Sequence, residues 1–185
     1  MNKKLVVGLV AATLAAFIVA WAVAPIVAAQ SLIRAAKAGD TAKLEQRVDF
    51  PSLRESLKAE LNAEVLARVR GDPRLTESDL GGIGMMLAPM LLSGAVDTVV
   101  TPEIVAAMVR DGEAPDPTGA PDPAPKTGDD GGDIHQSWGY RDLNTFSVTL
   151  TRRDAPNKRL ALLLDRRGLF SWKLAAVDLQ SGTEP

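Results

Sequence analysis

Hydrophobic and polar positions are arranged in three different ways along this chain, and each arrangement predicts a different kind of element. From Leu5 to Ala29 the run "LVVGLVAATLAAFIVAWAVAPIVAA" carries no charge and shows no alternation. About 20 consecutive apolar residues suffice to cross the hydrocarbon of a bilayer as a helix, so this run predicts a membrane span. "QSLIRAAKAG" then continues in good helix formers, with Leu32, Ile33, Ala35 and Ala36 on an apolar side and a stop at Gly39. Asp40 is placed to cap the next short helix, "TAKLEQR", because its carboxylate can accept one of the otherwise orphan N–H groups of the first turn. After the break at Val48–Phe50, Pro51 fits a first helical turn, where its missing donor costs little. Leu53, Leu57, Leu61, Val65 and Val69 then recur every fourth residue and predict one buried stripe.

The period changes further on. "RGDPRLTESD" interrupts the helical pattern, and "LGGIGMMLAPMLLSGAV", Leu80–Val96, is apolar but short for a span and broken by Pro89 and glycines. It predicts a buried helix pair or broken hairpin, with Met85, Met86 and Met90 as core filling. "TPEIVAAMV" has a helix start in Thr101 and Pro102, and an apolar face in Ile104, Val105, Met108 and Val109. From Asp111 proline, glycine and acids dominate, which predicts an acidic linker or loop with no apolar face to fold around. Beyond it Phe146, Val148 and Leu150 alternate with Ser147, Thr149 and Thr151, the two-residue period of a half-buried strand. Leu160–Leu164 predicts a second strand and "FSWKLAAVDL" a third, with Phe170, Trp172 and Leu174 on one face and Gly168 in the turn before it. "WGYRDLN" would add an edge segment.

The expected fold class is therefore α+β: an amino-terminal transmembrane helix, then a helical layer packed on a small carboxy-terminal antiparallel sheet, which needs that cover to bury its apolar face. In residue ranges this is an anchor or signal-anchor at 1–30, a helical half at 31–110, an acidic loop at 111–137, a sheet completing the same domain at 138–180 and a tail at 181–185.

Composition narrows the chemistry. A net charge of -2 over 185 residues supplies no global attraction for nucleic acid. The absence of cysteine removes disulfides, thiol catalysis and thiolate-held metals, and a single histidine rules out any one-chain site that needs two. Gly82–Gly84 lacks the preceding strand and the spacing of a phosphate-binding loop, and "DDGGD" lacks the late glutamate of a calcium loop. No catalytic, cofactor-binding or metal set is expected. Glu60 and Glu64 lie one helical turn apart, but Arg54, Lys58 and Arg68 beside them favour ordinary surface pairing. Asp49, Arg54, Glu60 and Arg166 are the polar residues to watch for a pocket or interaction surface. Arg152, Arg153, Lys158, Arg159, Arg166 and Arg167 flank the strands, where such charges keep edges soluble.

The segments "AAKAGDTAKLEQRVDFPSLRESLKAELN", "TPE" at Thr101–Glu103 and "RRGLFSWKLAAVDL" resemble a bacterial family of uncharacterised proteins, domain of unknown function 2939. The resemblance implies an exported or membrane-anchored protein of Gram-negative bacteria and brings no activity or catalytic residues. Helices followed by a Trp-containing terminal strand also resemble the cone-shaped NTF2-like α+β architecture, which permits a small-molecule pocket without establishing one.

Location follows from the start of the chain. Lys3, Lys4 and the terminal amine favour a cytoplasmic amino end, and Arg34 and Lys37 beyond the span oppose that bias only in part. The expected partner is the inner membrane, through residues 5–29, with the soluble domain in the periplasm and an envelope protein or small ligand as its second partner. Cleavage after Val27–Ala29, releasing the domain into the periplasm, is the competing expectation, although the apolar run exceeds the about 7–15 residues of a signal core. The function expected is a tethered interaction or envelope-maintenance module. The alternative is a ligand-binding domain or enzyme with a cavity between helices and sheet.

Overall fold

One helix joins the apolar start to the folded domain. In the computed structural model, which describes residues 3–71, 94, 96–98, 100–112, 134–153 and 159–178, α1 runs unbroken from Lys3 to Ala38. The predicted apolar stretch from Leu80, with Met85, Met86 and Met90, lies almost wholly outside the described residues. So do linker residues 113–133 and the tail 181–185.

The expected caps form. Gly39, at φ 64°, takes the left-handed conformation that ends α1. The Asp40 carboxylate accepts from Lys43 N–H at 3.0 Å and opens α2, Thr41–Arg47. Asp49 does the same less closely for α3, Phe50–Gly71, accepting from Ser52 N–H at 3.4 Å. Thr101 Oγ1 accepts from Ile104 N–H at the start of α4, Pro102–Asp111, and Gly112 closes that helix with φ 65°. The stripe predicted on α3 is buried at Leu53, Leu57 and Leu61.

Four antiparallel strands follow in the order β1-β2-β3-β4: β1 Ile134–Tyr140, β2 Thr145–Arg152, β3 Arg159–Arg166 and β4 Trp172–Asp178. The sheet is one strand larger than the alternation pattern alone predicts. "IHQSWGY" has weak strand character and becomes β1 by pairing along its whole length with β2, from Ile134↔Arg152 to Tyr140↔Phe146. It begins inside the range expected to be linker. Phe170 also differs from expectation: it sits in the β3–β4 turn, and β4 starts with Trp172.

The helices cover one face of this sheet. Leu32, Ala36, Leu44, Leu53, Leu57, Val105 and Val109 meet Val148, Leu150, Leu162, Leu164 and Leu174 in a single core. The edge strand β4 does not offer its backbone to solvent along its outer side. Asp49 N–H donates to Leu174 O at 2.8 Å, Val48 bridges Leu174 in parallel, and the Ser56 hydroxyl both donates to Val177 O and accepts from Val177 N–H, each at 3.1 Å. A helix serine thus does the work of a missing strand and blunts an edge that would otherwise invite pairing. Arg141, just after β1, reaches Asp178 at the end of β4 at 2.7 Å. These strands lie at opposite edges in the pairing order, so the sheet is curled.

Candidate functional site

Seven of the eight aromatic residues of the chain gather where α1 meets the sheet, five of them linked through one another and Arg166 and two, Phe17 and Phe170, as a pair beside them. Only Phe50 stands apart. Phe17 and Trp21 lie one turn apart on α1. Phe17 meets Phe170 edge-on with centroids 5.4 Å apart. Tyr140 packs edge-on against Phe146 at 5.1 Å and Trp172 at 6.1 Å, and Trp138 tilts against Phe146 at 6.4 Å.

Arg166 holds the group together. Its guanidinium carbon stands 4.3 Å from the ring centroids of both Trp21 and Trp172, so one helix and one strand clasp the same cation. Its edge donates to Leu143 O from Nε at 3.2 Å and from Nη2 at 2.7 Å, and to Leu169 O from Nη1 at 3.2 Å. The planar fork can satisfy two turns with its edge while both faces stack on rings, which a lysine cannot do. A second link comes from Tyr140, whose hydroxyl donates to Ala22 O at 2.8 Å. Pro25, lacking an N–H, leaves the neighbouring Trp21 carbonyl without its helical donor, so this turn of α1 is open to outside partners.

The four residues singled out from sequence do not converge. Asp49 caps α3 and forms an ion pair with Arg167 at 2.7 Å. Arg54 donates from Nη2 to Val100 O at 3.0 Å and lies over the Phe50 ring at 5.7 Å, while its buried Nε meets no acceptor among the described residues. With Lys58–Asp97 at 2.7 Å, it fastens the segment before α4 onto α3. Glu60 is half-buried on α3, about 9 Å further along the axis than Arg54. Arg166 alone belongs to the aromatic joint. The basic residues are also divided: the hairpin register puts Arg152, Arg153 and Arg159 at one end of the β2–β3 pair and Arg166 at the other, so they form no single patch.

Two hollows border these groups. One, lined by Leu53, Leu57, Val100, Val105, Met108 and Val177, holds about 10 Å³, room for at most about one water. The other is an open groove of about 340 Å³ beside α1, lined by Ala20, Val23, Ala24, Val27, Ala28, Arg47 and Phe170. Among the described residues no group of three or more His, Asp or Glu side chains is gathered as a metal site would need.

Local electrostatics serve helix ends and turns. Hydrogen bonding to the Lys43 side chain and backbone holds the Asp40 carboxyl below its ordinary range. A backbone N–H and the Thr101 hydroxyl do the same for Glu103.

A family profile described as protein of unknown function (DUF2939) matches residues 14–108, just over half of the sequence. The chain belongs to the DUF2939 family. The match takes in the aromatic half of α1, all of α2 and α3 and most of α4, and it stops before the sheet. No curated protein and no solved structure shows significant similarity to this DUF2939 chain. Sequence reasoning found Arg166 but not its partner Trp21, nor the separate link from Tyr140 to Ala22. The available signal was the scarcity of aromatics: in a chain with so few, Phe17 and Trp21 on one face of an otherwise aliphatic run mark a contact.

Proposed function

We propose that this DUF2939 protein is a single-pass, inner-membrane-tethered protein whose folded domain faces the periplasm and works as a non-catalytic interaction or envelope-maintenance module. The observation that carries this reading is the continuity of α1. Residues 5–20 are exposed and almost wholly apolar, whereas Pro25, Ala28, Ala29, Leu32, Ile33, Ala35 and Ala36 of the same helix are buried in the domain. A helix of 36 residues is about 54 Å long, enough for a span and a core element in series. Cleavage at Ala29 would remove three buried residues from the core, which favours an uncleaved anchor over a signal peptide. Lys3 and Lys4 set the orientation.

The interaction reading is favoured over a ligand-binding or enzymatic one because Asp49, Arg54 and Arg166 are engaged in caps, ion pairs and stacking that hold the fold. The hollow between α3, α4 and the sheet is also too small for a substrate. Helices covering a curled antiparallel sheet are what supports the cone-like NTF2 analogy within this proposal.

Alkaline extraction combined with a compartment reporter fused after Thr183 tests the proposal. The protein is expected to stay in the membrane pellet with a reporter active only in the periplasm. Extraction into the supernatant, or a reporter active in the cytoplasm, would overturn it.

A further inference from the structure

The turns that contact α1 do so at a level where the helix must already be inside the membrane. Counting about 20 residues from Leu5, the first after the charged start, ends the span at Ala24, and even the short limit of about 17 ends it at Trp21. Phe17, against which Phe170 packs, lies about 10 Å below Ala24 along the axis, or about 6 Å below Trp21. Tyr140 reaches the carbonyl of Ala22, between those limits. Arg166 ties the β1–β2 turn (Arg141–Asn144) and the β3–β4 turn (Arg167–Ser171) to each other through Leu143 O and Leu169 O, and ties both to Trp21. These turns therefore share the depth of α1 residues 17–22.

Each turn carries at least one large apolar side chain at that depth, in the first beside the exposed Asp142, whose carboxylate accepts from the Asn144 and Thr145 N–H groups. Leu143 is 71% exposed, Leu169 65% and Phe170 46%, three large apolar side chains on turns that in water would ordinarily be polar. Trp138 and Tyr140 stand beside them, partly exposed, as aromatic residues do at the level of lipid headgroups. Three cations at this end are already engaged, Arg141 by Asp178, Arg167 by Asp49, and Arg166 by its two indole faces and carbonyls, while Arg47 lines the groove beside Phe170 and Lys173 follows Trp172. The contact argued here rests on the apolar and aromatic side chains.

We infer that the β1–β2 and β3–β4 turns, through Leu143, Leu169 and Phe170, insert into the outer interfacial region of the same bilayer that α1 spans, so that the domain sits directly on the membrane. This rests on the proposed span, and the test separates the two. Because the chain has no cysteine, single variants Leu143→Cys, Leu169→Cys, Leu9→Cys and Lys37→Cys of the full-length protein can each carry one environment-sensitive fluorophore. They are reconstituted in phosphatidylcholine vesicles containing lipid with a nitroxide at a shallow position on the acyl chain.

The expected result is blue-shifted emission and quenching at positions 143, 169 and 9, with none at 37, which lies about 20 Å beyond Ala24 on the same helix. Quenching at 9 with solvent-like emission at both 143 and 169 would overturn this inference and leave the span standing. Absence of quenching at 9 would overturn both. A double variant, Leu143→Asp with Leu169→Asp, gives an independent readout: quenching of a fluorophore at Phe170→Cys should fall while quenching at position 9 is unchanged. Equal quenching at position 170 with and without the aspartates would count against insertion.

Discussion

The two halves of α1 are nearly alike in composition and opposite in circumstance. Residues 5–20 are almost wholly apolar and exposed, touching the domain at Phe17, while from Trp21 to Ala36 the helix has a buried side that belongs to the core. Hydropathy reads a charge-free run to Ala29 because lipid and protein core ask for the same side chains. Packing divides it earlier, near the turn where Trp21, Ala22 and Pro25 meet the sheet. On the proposed reading, one helix serving both environments would couple the domain to the membrane through continuous helix.

The strongest break of this comparison is truncation. Deleting residues 1–20 should leave a domain that unfolds cooperatively, whereas deleting 1–30 removes Pro25, Ala28 and Ala29 from the core and should abolish the cooperative transition, as followed by circular dichroism on heating. Equal behaviour of the two truncations would mean that the second half of α1 is dispensable. Core size comes next. Ala36 has no exposed surface, so Ala36→Leu should overpack the core and destabilise the protein by about 1–3 kcal/mol. The same change at exposed Ala12 should be neutral in lipid particles. Chemical denaturation of both variants makes the measurement.

At the joint, Arg166→Lys keeps the charge but loses the fork and the stacking, and Arg166→Ala loses everything. Costs of about 1–2 and about 2–3 kcal/mol are expected. A double-mutant cycle with Trp21→Ala should show coupling that is absent between Arg166 and Leu9. The smallest effect is expected from pH. The Asp40 carboxyl is held below its ordinary value near 3.8 by its hydrogen bonds to Lys43, so its contribution is fully present above that value and is lost as pH falls through the lower, folded value. Asp40→Asn should keep the cap while making the melting temperature slightly less sensitive to acid below about pH 4.

Much of the helical half was legible because its signals are local. Asp40, Thr101, Pro102 and Gly39 act within a few residues of themselves, and the Leu53–Leu57–Leu61 stripe needs only a period. The sheet was less legible. β1 owes its existence to pairing with β2, and the edge segment expected at "WGYRDLN" caught only its last three residues, Trp138–Tyr140. The serine that covers β4 is an ordinary surface residue by sequence and acts 121 positions away from its partner Val177. Arg166 was found as a charge, but its meaning depends on Trp21, Trp172, Leu143 and Leu169, which come from four separate segments. Non-local contacts of this kind are what a single sequence does not display.

The most direct test of the central claim, that one uncleaved helix serves bilayer and core together, is the intact mass of the protein extracted from membranes. The account predicts a mature chain that retains the residues before Gln30. A mature chain beginning at Gln30 and recovered in the soluble fraction would contradict it.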